Sequence, residues 1–424
     1  MTEPELAPST IDASVDHGVP TRTSTGIDHV THDYDAVLLA SFGGPNGQED
    51  VIPFLRNVTR GRGIPDERLE EVATHYRTMG GTSPINEQNM ALQAALQAEL
   101  DARGVGLPVL WGNRNWSPYV TDVVRDAYHE GRRALLGVAT SAYSSYSGCR
   151  QYREDFGGAI KALTDEGVVN GDLRIDKLRH YFNTEGFLAP VAEGALVGVR
   201  EMLDAGHAVE DVLVMYSTHS VPDTMALASG PEDTRTPGSG GWYIAQHQAA
   251  IDWVHAVVEE AIGQAVPKEF VFQSRSGSPR QPWNEPDIND AIEAAAEDGV
   301  KAVVCVPIGF ISDHVEVEWD LDTEAKQTAA DQGVAFTRTP TSGVDPRFVS
   351  VLADLVEERL GRRGPVETVT AFPATPDVCG VGCCVGRVCR PTTAGADSEQ
   401  DCERAAAEAA DSQRPTHGHG GAHQ

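Results

Sequence analysis

The feature that most constrains this chain is a series of short, continuous apolar runs separated by longer segments with helical periodicity. The first four runs are Ala36–Phe42, Pro108–Trp111, Ala134–Thr140 and Leu173–Phe182. Four more follow, Val212–Ser217, Glu269–Ser274, Ala302–Phe310 and Val334–Thr337. Most are apolar throughout instead of alternating, the pattern of parallel strands buried on both faces. Helical segments such as Asn89–Ala102 and Gly241–Ile262 lie between them. Strand–helix alternation of this kind predicts an α/β fold of doubly wound units with right-handed crossovers. Four strands in each half predict two similar domains, and VLLASFGGP in the first half is weakly echoed by VLVMYSTHSVP in the second.

A length of 424 residues fits two domains plus tails. The boundaries read as 34–177 for the first domain, completed by a C-terminal helix near 346–362, and 178–340 for the second. Residues 1–33, rich in Thr, Ser, Pro and Asp, read as a disordered extension without a secretory core. Residues 365–390 form a Cys-rich extension, and 391–424 an acidic, then His/Gly-rich tail whose composition predicts disorder. No run reaches eighteen apolar residues, so no membrane span is expected. A cytoplasmic, monomeric protein is expected. The net charge of −30 argues against nucleic acid or an anionic membrane as partner, since both would be repelled.

Open parallel sheets bind ligands beyond the carboxyl ends of their strands. Polar, aromatic and titratable residues follow several of the runs, and two sets stand out. His219 lies just past an apolar strand and before Pro222. A histidine there suits proton transfer or metal contact near neutral pH; the alternative is a turn histidine bonded to backbone. Glu316, Asp320 and Glu324 recur at four-residue steps and share a face in either a helix or a strand. Carboxylates so spaced repel one another, and a passing hydrated cation would relieve that repulsion; a solvated acidic face is the alternative. A helix start is favoured here, for which Asp313 and Glu316 would form a capping box.

Five ordered segments, YDAVLLASFGGP, YRTMGGTSPIN, VLVMYSTHSVPDTM, FQSRSGSPRQPWNEPDIND and VPIGFISDHVEVEWDLDTE, resemble the successive signature blocks of ferrochelatases, from Tyr34 to about Leu360. The resemblance implies a chelatase-like pair of Rossmann-like domains with parallel four-stranded sheets and a porphyrin cleft between them. It implies insertion of Fe2+ into a porphyrin in heme biosynthesis. Coproporphyrin III is the expected substrate, with protoporphyrin IX, another tetrapyrrole chelatase activity, or a non-catalytic heme carrier or iron–sulfur sensor as alternatives. By position, His219 matches the active-site histidine and Glu316 the glutamate facing it. Asp320 and Glu324 match the acidic residues leading metal or protons away. Phe42 stands where some bacterial members carry a tyrosine, so a phenolate ligand is not expected. Ser83, Tyr143 and Tyr146 correspond to segments lining the porphyrin pocket. Arg60 and Arg62 correspond to a propionate-facing loop, and Arg275 and Trp283 to the pocket wall.

Of the seven cysteines, five crowd the C-terminal end. In a cytoplasmic chain this suggests metal ligation before disulfides. Four thiolates would suit zinc or an iron–sulfur cluster, and the resemblance implies a [2Fe–2S] cluster. Its ligands would be four of Cys149, Cys379, Cys383, Cys384 and Cys389, with one of the last three a spare. Cys305 reads as a small buried mid-strand residue, and Cys402 as part of the disordered tail.

Overall fold

A computed structural model describes residues 26–27, 29–61, 63–235, 239–276 and 281–412. Its strands are β1 (Gly26–Ile27), β2 (Ala36–Ser41), β3 (Val109–Asn113), β4 (Ala134–Ala139) and β5 (Arg174–Lys177), followed by β6 (Val212–His219), β7 (Lys268–Gln273), β8 (Ala302–Val306), β9 (Ala335–Arg338) and β10 (Val378–Cys379). Two four-stranded parallel sheets result, ordered β3-β2-β4-β5 and β7-β6-β8-β9. Both sheets place their first strand between their second and third. The weak sequence echo therefore falls on equivalent strands, β2 and β6.

Alternate residues of each strand serve two cores, as the period-two pleat dictates. Leu38 and Ala40 face a cluster with the helices Val120–His129 and Gln151–Asp165. Val37 and Leu39 face the opposite way, into a core shared with Val212, Val214, Tyr216 and Val304 of the second sheet. That shared core is filled by the helices Glu185–Asp204, Gly241–Ile262 and Pro346–Arg359. At about 1.5–3 kcal/mol for each fully buried large apolar side chain, it welds the two halves together. The Ser144 amide and hydroxyl add a polar tie, each bonded to the buried Gln246 side chain at 2.8 and 2.9 Å.

Three regions differ from the sequence expectation. The fourth run, Leu173–Phe182, is a strand only over Arg174–Lys177. Its remainder is buried, but Arg179 turns aside to bond Glu358 at 2.8 Å. Within the expected disordered extension, Gly26–Ile27 pairs antiparallel with Val378–Cys379; residues 1–25 lie outside the described residues. Within the expected disordered tail, Glu399–Ser412 is helical. Its Cys402, Ala405 and Ala406 are buried, a short apolar face that composition averaging conceals. The closing His/Gly stretch, 413–424, lies outside the described residues.

Candidate active site

The carboxyl ends of β6 and β8 flank the point where the second sheet reverses its winding, the usual ligand crevice of such sheets. His219 is the last residue of β6. Gly309 follows β8 and crosses directly over the end of β6. Its amide bonds the Ser217 carbonyl at 3.1 Å, and a Cβ there would lie 2.0 Å from Thr218 Oγ1, so only glycine admits this crossing. The chain then turns into a helix at Val315 and, over Glu318–Ala325, widens into a π-helix, a form common at functional sites. The predicted capping box does not form. His314 occupies the cap position without a side-chain bond, and Asp313 pairs with Arg338 at 3.0 Å.

His219 Nε2 lies 3.5 Å from Glu316 Oε2, with the two side chains 37% and 44% exposed. The ring's Nδ1–H donates to the Ser220 carbonyl at 2.5 Å. That bond settles the tautomer and leaves Nε2 facing the carboxylate. Burial lowers the histidine's proton affinity, but the Glu316 carboxylate and the Ser220 carbonyl outweigh it, and the net shift is upward. Burial acts against ionisation of Glu316, yet its bond to His219 and the charge of that ring hold the carboxyl well below its usual range.

Asp320 differs. Burial, reinforced by repulsion from Glu316 and Glu324, lifts its carboxyl to about 7 against the lowering bond from Ser274. Ser274 Oγ and, at 3.4 Å, Gln273 Nε2 donate to its Oδ2. Glu324 is exposed and accepts from Trp319 Nε1 at 2.8 Å. The acidic row thus runs from a half-exposed pair, through a carboxyl poised to hold or release a proton, to solvent.

The first half of the chain packs against this segment. Val315 joins Val51, Phe54 and Tyr76 in a buried cluster that Phe42 borders, and Trp319 stacks on His75 at 4.3 Å. Behind His219, Tyr243 OH donates to the His219 carbonyl at 2.7 Å. His247 accepts from Thr218 Oγ1 at 2.9 Å while donating to the Tyr243 carbonyl at 2.7 Å. Burial drops His247 to about 3, so it stays neutral and keeps this pattern. Tyr243, His247, Ser274 and Tyr76 carry no sequence signal of their own. Of these, the Gly-bounded helix holding Tyr243 and His247 offered the nearest hint.

Other predicted site residues lie elsewhere. Tyr143 is a core residue, stacked on His247 at 3.6 Å and tilted against Phe182, because the segment after β4 dives beneath the helix Gly241–Ile262. Tyr146 bonds Glu154 at 2.9 Å, and its ring lies where a Cβ on Gly386 would sit, which puts it against the C-terminal extension. Ser83 is buried behind Gly44, its amide bonded to the Pro45 carbonyl. Arg60 is exposed and bonds its helix neighbour Asn57; Arg62 lies outside the described residues. Arg275 is exposed and pairs with Glu285 at 3.3 Å. Trp283 bridges to Pro222, beside the His219 turn, with its indole N–H buried and unpartnered.

A second site forms where the C-terminal extension meets the first domain. Cys149, Cys383 and Cys384 are buried together with Cys379 packed against them. The sulfurs close a ring in which Cys149 and Cys383 each bond Cys379 and Cys384, the last pair at 3.7 Å. These shared bonds from Cys149 and Cys383 hold Cys379 and Cys384 well below the ordinary thiol range. Cys389 leaves the predicted ligand set: it is disulfide-bonded to Cys402, whose sulfur also accepts from buried Arg150 at 3.1 Å. Cys305 is buried within β8, where burial pushes its thiol up to about 12. Among the described residues, the one group with three or more ligand atoms all within 4.8 Å of one another is His29, Glu358 and Asp377. Its carboxylates are already engaged by Arg179 and Arg359.

A family model described as ferrochelatase matches residues 34–360. The coproporphyrin III ferrochelatase of Leifsonia xyli is 52% identical over 378 residues, covering 86% of this chain and 95% of that protein. That of Streptomyces coelicolor is 50% identical over 370 residues, covering 86% and 97%. That of Tropheryma whipplei is 45% identical over 378 residues, covering 89% and 95%.

Proposed function

Because the chain belongs to the ferrochelatase family, we propose that it inserts Fe2+ into coproporphyrin III, with His219 as proton acceptor and Glu316 as its partner beside the metal. The observation that carries this reading is the 3.5 Å pairing of His219 Nε2 with Glu316 at the switch point of the second sheet. Metal insertion must remove two protons from pyrrole nitrogens while iron sheds its water. With Nδ1 tied to Ser220, a neutral His219 presents Nε2 as the only ring atom able to accept a proton. Glu316 then stabilises the imidazolium formed. Asp320, with a carboxyl near 7, is suited to relay protons or iron between Glu316 and exposed Glu324. Phe42 and Trp283 border this site and are its proposed porphyrin-facing wall; the pocket roles expected of Tyr143, Tyr146 and Ser83 are withdrawn in favour of packing. Coproporphyrin III is preferred because the relatives that cover nearly the whole chain are named for it. Anaerobic Fe2+ offered with coproporphyrin III or with protoporphyrin IX, followed by absorbance, tests the proposal. Faster turnover of coproporphyrin III is expected; turnover of protoporphyrin IX alone would overturn the substrate, and turnover of neither the activity.

The acid limb of the pH–rate profile follows from the same pair. A base raised above the usual histidine range is neutral only at higher pH, so kcat/KM is expected to rise with pH through a value above that range. Asp320 contributes to raising His219. Asp320→Asn should therefore move the limb toward lower pH, and an unmoved limb would separate Asp320 from the proton path.

The buried cysteine ring fits an iron–sulfur cluster better than a single ion. One tetrahedral zinc draws all its sulfurs to within about 3.8 Å of one another, given a Zn–S bond of about 2.3 Å. No three of these sulfurs lie mutually within 4.8 Å. We assign Cys149, Cys379, Cys383 and Cys384 as the residues that would hold a [2Fe–2S] cluster. Such a cluster supplies one-electron redox chemistry and a covalent clasp between the extension and the first domain. Cys149→Ser is expected to abolish the visible absorbance together with acid-labile sulfide. A variant that keeps both would exclude Cys149 as a ligand.

A further inference from the structure

A small, mostly enclosed cavity adjoins the cysteine ring, and Cys149, Cys379 and Cys383 share its wall with Lys177, His180 and Asp377. Lys177 is 4% exposed, yet its ammonium makes a single hydrogen bond among the described residues, to the Leu178 carbonyl at 3.0 Å, and has no carboxylate within 4.0 Å. Asp377, the one acid on that wall, is committed to Arg359 at 3.2 Å and to the Val30 amide at 2.8 Å. A buried cation without a counter-ion is strongly unfavourable, so this pocket is built around an anion. His180 is likewise 4% exposed, and neither ring nitrogen has a hydrogen-bond partner of good geometry, although its backbone amide is anchored to Thr375 Oγ1 at 3.0 Å. Arg153 adds a second buried cation. Its Nε bonds the Thr393 carbonyl, while Nη1 and Nη2 make no hydrogen bond, and its nearest acid is Asp397 at 3.8 Å.

We propose that Lys177 and His180 form the polar wall that faces the cluster, with the Lys177 ammonium as counter-ion to the cysteine thiolates and a His180 ring N–H directed at their sulfurs. The inference rests on the reading that these cysteines hold an iron–sulfur cluster, and it identifies which residues tune it. Four thiolates around a [2Fe–2S] core carry net negative charge, and each added electron deepens it. A fixed cation and a hydrogen-bond donor on one side therefore favour the reduced state and oppose loss of iron. Lys177 precedes His180 by three residues at the end of β5, so one short segment delivers both groups.

The test uses the full chain, purified without oxygen, as wild type, Lys177→Met, Lys177→Arg and His180→Phe. Iron and sulfide content, EPR-monitored redox titration with dithionite, and bleaching of visible absorbance by EDTA are measured beside thermal melting. Lys177→Met should move the midpoint potential to more negative values and speed bleaching by about 10- to 100-fold. Lys177→Arg, which keeps the charge, should restore both, and His180→Phe should shift the potential in the same direction as Lys177→Met. Loss of the cluster in Lys177→Met but not in Lys177→Arg, at similar melting temperature, also supports the assignment. Wild-type potential and bleaching in Lys177→Met, or equal loss in both lysine variants, would overturn it. Wild-type protein free of iron and sulfide would end the cluster reading itself, and this inference with it.

Discussion

Replacing His219 by glutamine is expected to lower kcat for iron insertion by about 10²–10⁴-fold, the usual contribution of a positioned general base. KM for coproporphyrin III and the melting temperature should change little. His219 is 37% exposed and, among the described residues, its ring is tied to Ser220 and Glu316. The strand beneath it is held independently, by Tyr243 on the His219 carbonyl and His247 on Thr218. Glutamine keeps the size and polarity of the side chain but accepts no proton at neutral pH. Pre-steady-state absorbance with bound coproporphyrin separates chemistry from binding. A variant retaining more than a tenth of wild-type kcat would place the proton acceptor elsewhere.

The second large effect is on stability. Glu358→Ala should cost about 3–5 kcal/mol, the range for removing one partner of a buried ion pair. Glu358 is 2% exposed and accepts from Arg179 at 2.8 and 3.1 Å and from the Val366 amide at 2.5 Å. Its removal leaves the Arg179 guanidinium, 4% exposed, with the Val366 carbonyl as its one hydrogen-bond partner among the described residues. Burial opposes ionisation of Glu358, but these bonds prevail and its pKa is lowered. Its stabilisation is therefore present above the ordinary carboxyl range and is lost as pH falls through the depressed value. Chemical denaturation at neutral and acidic pH checks this: the wild-type advantage over Glu358→Ala should shrink on acidification. An advantage that is constant with pH would assign the loss to packing alone.

Strands buried on both faces announce themselves as continuous apolar runs, which is why the central strands β2, β4, β6 and β8 are legible in the sequence, as is the helix Gly241–Ile262, ended by left-handed Gly263. The candidate set His219, Glu316, Asp320 and Glu324 was also legible, from a histidine just past an apolar strand and from carboxylates at four-residue steps. The π-helix was not, since the contacts of its segment, Trp319 on His75 and Val315 beside Phe54 and Tyr76, are made with a distant part of the chain. Tyr143 misled because an aromatic residue past a strand end looks alike in a cleft or under a helix; only the partner, His247, distinguishes them. Cys389 and Cys402 misled for a related reason. Five nearby cysteines signal a sulfur site, but which four converge depends on the path of the extension, and Cys402 draws Cys389 away.

The pairing of Gly26–Ile27 with Val378–Cys379 bears on deletion experiments. A chain trimmed after Leu360, where the family match ends, loses far more than the three proposed sulfur ligands Cys379, Cys383 and Cys384. It loses Asp377, the acid that meets Arg359 from one side and the Val30 amide from the other. It also loses the Val366 groups that bond Glu358 and Arg179. An inactive trimmed chain would therefore report on a collapsed ionic keystone, not on what the cysteines do. Point substitution at the sulfurs, with both ends of the chain left fastened, is the informative dissection.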